Sequence, residues 1–71
     1  MAAEVGFVVH DERGSEVLDE LERKAGVPPY LASPTERHYN LADAQVASSG
    51  IDALLDAIDE DWREHLSRTP D

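Results

Sequence analysis

The sequence predicts an α+β protein, a two-layer β-α-β-(β)-α sandwich in which two helices cover one face of a small sheet and a second copy completes the core. Three stretches carry that expectation. Between Ser49 and Leu66, the residues Ile51, Leu54, Leu55, Ile58, Trp62 and Leu66 recur at steps of three and four, which gathers them into an arc of roughly 120° on one helix. Glu4 to His10 is dense in β-branched and aromatic residues, and Glu36 to Leu41 alternates in polarity, the two common patterns of strands.

Val5, Phe7, Val8 and Val9 leave little polar alternation in the first stretch, so it is expected in the middle of the sheet rather than at an edge. Asp11 to Gly14 is a turn by its chemistry. Ser15 is the expected N-cap of a helix, with Glu16, Asp19 and Glu20 in the positive first turns. Val17, Leu18, Leu21 and Ala25 form its apolar stripe, and Arg23 and Lys24 suit its negative end. Gly26 reads as the left-handed residue that ends the helix, Val27 as the apolar contact back onto Leu21, and Pro28 as the stop.

Val27 to Thr35 holds Pro28, Pro29 and Pro34 and is expected as an extended loop outside any sheet ladder, because proline lacks the amide donor. Tyr30 and Leu31 are expected to pin this loop to the core; left exposed, they would instead form a contact site. In the strand that follows, Arg37, Tyr39 and Leu41 fall on one side and Glu36, His38 and Asn40 on the other. Ala42 to Ser48 admits two readings. It is either the second strand of a hairpin turning at Asp43 or a backward extension of the last helix capped by Asn40, and the run Ser48, Ser49, Gly50 favours the hairpin. Ser49 is the expected cap of the last helix, with Asp52 in the capping-box position, and residues 67–71 are expected to fray. The element order is that of a ferredoxin-like arrangement without its final strand, an analogy of topology alone. A sheet of two or three strands is marginal by itself, and a homodimer about a two-fold axis would extend it.

With 71 residues the chain makes a single domain, and one this short buries only about 60% of the surface its unfolded form exposes. The absence of cysteine removes disulfides, thiolate metal sites and redox chemistry together. Sixteen acidic against 6 basic side chains give a net charge of −10, which argues against direct binding to nucleic acid or an anionic membrane and points to cationic partners or concentrated salt. Lys24 is the one lysine. Abundant carboxylates with scarce lysine resemble the surfaces of halophilic cytoplasmic proteins, although a GC-rich genome gives the same preference for arginine. The apolar run after Glu4 is far too short for the h-region of an export signal and has no basic n-region before it, and no stretch has membrane-spanning length, so the expected location is the cytoplasm.

The candidate functional residues follow from exposure and charge. Asp52, Asp56, Glu60 and Glu64 stand at four-residue steps, where like charges on a helix oppose each other by about 0.2–0.5 kcal/mol per pair. Two binding functions fit. In the preferred one, a small adaptor or regulator works through its dimer and the surface around Tyr30, Leu31 and His10, its acids serving mainly as adaptation to salt. In the other, the four carboxylates, spaced about 6 Å along the helix axis, imitate nucleic acid for a basic protein partner. A third alternative is a small enzyme or metal site built on His10 with Asp11, or on Asp61 with His65. No His-x-x-x-His spacing, Gly-x-Ser-x-Gly elbow or glycine-rich phosphate loop supports it. No catalytic, cofactor or metal residue is therefore assigned.

Overall fold

The computed structural model describes residues 4–40 and 48–69. Its elements run β1 (Glu4–Val9), α1 (Glu12–Ala25), β2 (Leu31–Ala32), β3 (Glu36–Asn40), α2 (Ser48–Ile58), a short 3-10 turn (Trp62–Glu64) and β4 (Leu66–Arg68). The class is α+β, with two helices and one four-stranded sheet in the order β2-β3-β1-β4. Every neighbouring pair is antiparallel, Gly6 lying opposite His38, Val8 opposite Ser67 and Leu31 opposite His38. The undecided stretch at 42–48 falls, apart from Ser48, outside the described residues.

β1 is a central strand, as its unbroken apolar run predicts. Successive strand residues point to opposite faces, so Val5, Phe7, Tyr39 and Leu66 share one face, while Gly6, Val8, His38 and Ser67 share the other. The first set belongs to the buried cluster, together with Val17, Leu18 and Leu21 of α1, Ile51 and Leu55 of α2, Val27 and Trp62. Phe7 and Trp62 meet edge to face, with centroids 6.2 Å apart.

α1 ends where expected. Gly26 adopts φ 69°, and its amide donates to the Glu22 carbonyl. Val27 is buried beside it. The start differs from the expectation: the N-cap is Asp11, not Ser15, and its carboxylate accepts from the Gly14 amide at 3.0 Å. Gly14 is a helical residue rather than a turn residue. It is buried where α1 passes close to the chain entering β4, and a Cβ at this position would lie 2.6 Å from the His65 carbonyl oxygen.

The proline-rich stretch does contribute to the sheet. Leu31 and Ala32 pair with β3, contrary to the expected loop. The strand is only two residues long, occupies an edge, and leaves Pro29 and Pro34 outside the paired residues, so no proline is asked for a ladder donor.

The largest correction concerns the C-terminal third. The helix begins at Ser48, with Ser49 inside it rather than capping it, and it stops at Ile58 instead of running to Leu66. Asp59, Glu60 and Asp61 follow at the end where the helix dipole is negative, which opposes continuation. Asp59 then organises a turn: its carboxylate accepts from the Asp61 amide at 2.9 Å, and its carbonyl accepts from the Trp62 amide at 3.1 Å. After the 3-10 turn, Leu66 to Arg68 pair with β1. Ser67 and Arg68, expected in a frayed tail, thus form the final strand that the ferredoxin-like order had seemed to lack. Trp62 and Leu66 are buried as expected, but from a turn and a strand. No helix of the described residues is long and apolar enough to cross a membrane.

Candidate functional site

Tyr30 and Leu31 are the large hydrophobic residues left exposed among the described residues, at 55% and 52%. They do not pin the chain to the core. β2 holds them at the sheet edge, where Leu31 stands opposite His38 and the Tyr30 ring lies 6.2 Å from the His38 imidazole at a tilt of 56°. His38 lies over Gly6, where a Cβ would collide with its imidazole ring. That close approach is what the glycine in the middle of β1 permits. Glu36 completes the group, its Oε1 lying 3.2 Å from His38 Nε2.

At the other end of β1, the histidines pair differently from the expectation. His10 does not pair with Asp11, nor His65 with Asp61. Instead His65 Nδ1 lies 2.8 Å from Asp11 Oδ2, and His10 Nε2 lies 2.7 Å from Ser67 Oγ. An ionised carboxylate only accepts, so Nδ1 carries the proton in the first pair. This hydrogen bond is the main cause that lowers the Asp11 carboxyl below its ordinary value and raises the His65 imidazole, partial burial opposing each shift. Ser67 was not singled out as a functional residue, and neither pair has a local sequence signal. Nearby, Arg13 Nε donates to Asp59 Oδ2 at 2.8 Å and holds that carboxyl low.

The four carboxylates do not form one row. Asp52 and Asp56 lie on α2, Glu60 in the following turn and Glu64 at the end of the 3-10 turn. Two of them have arginine partners: Asp52 with Arg68 at 3.3 Å and Asp56 with Arg63 at 3.4 Å. Asp56 also accepts from the Trp62 indole N–H at 2.7 Å. The continuous charge row required for nucleic-acid mimicry depended on a helix that ends at Ile58.

A cleft of about 320 Å³ opens between α2 and β4, lined by Asp52, Trp62, Arg63, Leu66, Ser67 and Arg68. The Arg63 guanidinium lies 4.4 Å from the Trp62 ring centroid, and that of Arg68 lies 5.8 Å from the Phe7 centroid. A second cleft, of about 390 Å³, lies at the C-terminal end of α1 beside Asp19, Glu22 and Val27. Glu22 there accepts from both Arg37 and Tyr39. Among the described residues, no group of three or more histidine, aspartate or glutamate side chains is placed to hold a metal. No family model, curated protein or solved structure matches the chain.

Proposed function

We propose that this is a non-catalytic protein-interaction module of a salt-rich cytoplasm that works as a homodimer. In this reading α1 and α2 stack on the sheet face that carries Val5, Phe7, Tyr39 and Leu66, making two layers. The opposite face, with Val8 and His38, continues into the β2 edge and meets a second copy. The observation that carries the reading is the exposure of Leu31 on the two-residue edge strand β2 and of Tyr30 immediately before it. Edge strands with apolar side chains are prone to pairing, and a small domain gains most from a shared core.

The charge of −10 on each copy opposes association in dilute buffer. At about 1 M salt the Debye length falls to roughly 3 Å, and most of that repulsion is screened. Carboxylates therefore tie both folding and pairing to ionic strength. Sedimentation velocity in about 3 M and about 0.1 M KCl tests the reading. The expected result is a dimer in concentrated salt that Leu31→Glu converts to a folded monomer. A wild-type monomer in concentrated salt across the accessible protein concentrations contradicts it.

A further inference from the structure

Charge is unevenly divided between the two faces of the sheet. None of the chain's 6 lysine and arginine residues lies on the sheet face that carries Gly6, Val8 and His38. Arg13, Arg23 and Lys24 belong to α1 and Arg63 to the 3-10 turn. Arg37 and Arg68 both stand opposite Phe7 in the register, so they share its side of the sheet, where they bond Asp19 of α1 and Asp52 of α2. By the same alternation the other face takes Glu4 and Glu36 with His38. Among the described residues, histidines are its only means of acquiring positive charge.

His38 sits in the middle of that face. Beside it on β3, Glu36 places Oε1 3.2 Å from Nε2. From the β2 side, Leu31 stands opposite and the Tyr30 ring tilts toward the imidazole, with its hydroxyl donated to the Glu4 carboxylate. From β1, Gly6 presents only backbone, and the Thr69 hydroxyl, just past β4, closes on the same spot. Carboxylates, a phenol and a hydroxyl therefore face His38, and no lysine or arginine does. His10 reaches the far end of the face through Ser67, which stands opposite Val8.

We propose that protonation of His38 strengthens the pairing of two copies through this face, so that the assembly tightens as pH falls. The inference rests on the dimer reading above and adds its control. A two-fold axis presents every residue of the face twice, so at neutral pH the acids of one copy meet those of the other. Histidine ordinarily changes charge between about pH 5 and 8, and an imidazolium at His38 cancels the charge of Glu36 at the point of contact. The same step lowers the net charge of each copy, so the local and the overall repulsion fall together. Glu36 also gives the buried imidazolium a partner, without which its burial would oppose pairing. By linkage, a proton that is bound more tightly in the pair than in the single copy tightens the pair by the same factor.

Sedimentation velocity of the full chain at about pH 8 and about pH 6, at the lowest KCl concentration that gives a measurable dimer, tests this, with circular dichroism confirming the fold at both. The expected result is a dissociation constant about tenfold lower at the acid pH. His38→Gln is expected to remove most of that difference while still forming a dimer at the higher pH. Glu36→Gln is expected to tighten the dimer at the higher pH and to shrink the difference. A wild-type dimer of equal strength at both pH values, or the full difference retained in His38→Gln, overturns the inference and leaves the dimer reading standing. Monomers at both pH values even in concentrated salt overturn the two together.

Discussion

Tyr39 donates its hydroxyl to Glu22 Oε2 at 2.8 Å, and the same oxygen accepts Arg37 Nη1 at 2.8 Å. This bond lets a buried phenol on β3 meet the polar margin of α1. Burial, and then the Glu22 carboxylate, raise the Tyr39 ionisation well above that of ordinary tyrosine. Glu22→Ala would leave the hydroxyl without its acceptor and is expected to cost about 1–3 kcal/mol. Glu22→Gln keeps an acceptor and is expected to cost less. Urea denaturation in concentrated KCl measures both, and equal losses would show that charge alone matters at this position.

The Asp11–His65 pair gives a pH dependence with a definite sign. The raised His65 value contributes stability that is fully present below the ordinary histidine value of about 6.5 and is lost as pH rises through the higher folded value. The lowered Asp11 value contributes stability present above the ordinary aspartate value of about 3.9 and lost as pH falls through the lower folded one. The pair is thus most stabilising between those two ordinary values. Asp11→Asn retains a good N-cap and removes the charge. Proton NMR is expected to show the His65 titration moving down in that variant. The stability difference from wild type is expected to be larger near pH 5 than near pH 9.

Gly14→Ala separates helix propensity from packing. In an exposed helix interior this change stabilises by about 1 kcal/mol. Here the new methyl would stand 2.6 Å from a backbone oxygen of His65 and 3.0 Å from Leu66 Cδ2. The expected outcome is a loss of roughly 1–3 kcal/mol, read from the thermal midpoint. A stabilised variant would show that α1 and the chain entering β4 are further apart than described.

Asp56 and Glu60 are expected to respond in opposite directions. Asp56 holds the Trp62 indole, so Asp56→Ala should destabilise by about 1–2 kcal/mol. Glu60 lies just past the negative end of α2, and Glu60→Gln should stabilise in dilute buffer by roughly a few tenths of a kcal/mol. Chemical denaturation of the two single variants distinguishes this from uniform repulsion along a helix, which would make both substitutions favourable.

Local signals made β1, β3 and the end of α1 legible. Gly26, Val27 and Pro28 each act on their own backbone, and the Arg37–Tyr39 alternation needs only one buried face. The end of α2 is hidden in the sequence because Trp62 and Leu66 continue the helical spacing of Ile58 while being buried by other means. The run Asp59, Glu60, Asp61 at a helix C-terminus was the available warning. β2 has no clear local signal because a proline-rich stretch can still pair over two residues at an edge. The Asp11–His65 contact joins residues 54 positions apart. No spacing rule reaches that far, and it exists only because β4 returns to β1.

That return is the step on which the sheet, the histidine pairs and the β4 cleft all depend. In the antiparallel register, Phe7 opposes Arg68 and Val9 opposes Leu66 as non-hydrogen-bonded pairs, whose Cα atoms approach to about 4.5 Å. Two-dimensional NMR of the folded protein is therefore expected to show strong Hα to Hα cross-peaks for Phe7 with Arg68 and for Val9 with Leu66. Continuous helical connectivities from Ile51 through Leu66, with neither cross-peak, would contradict the account.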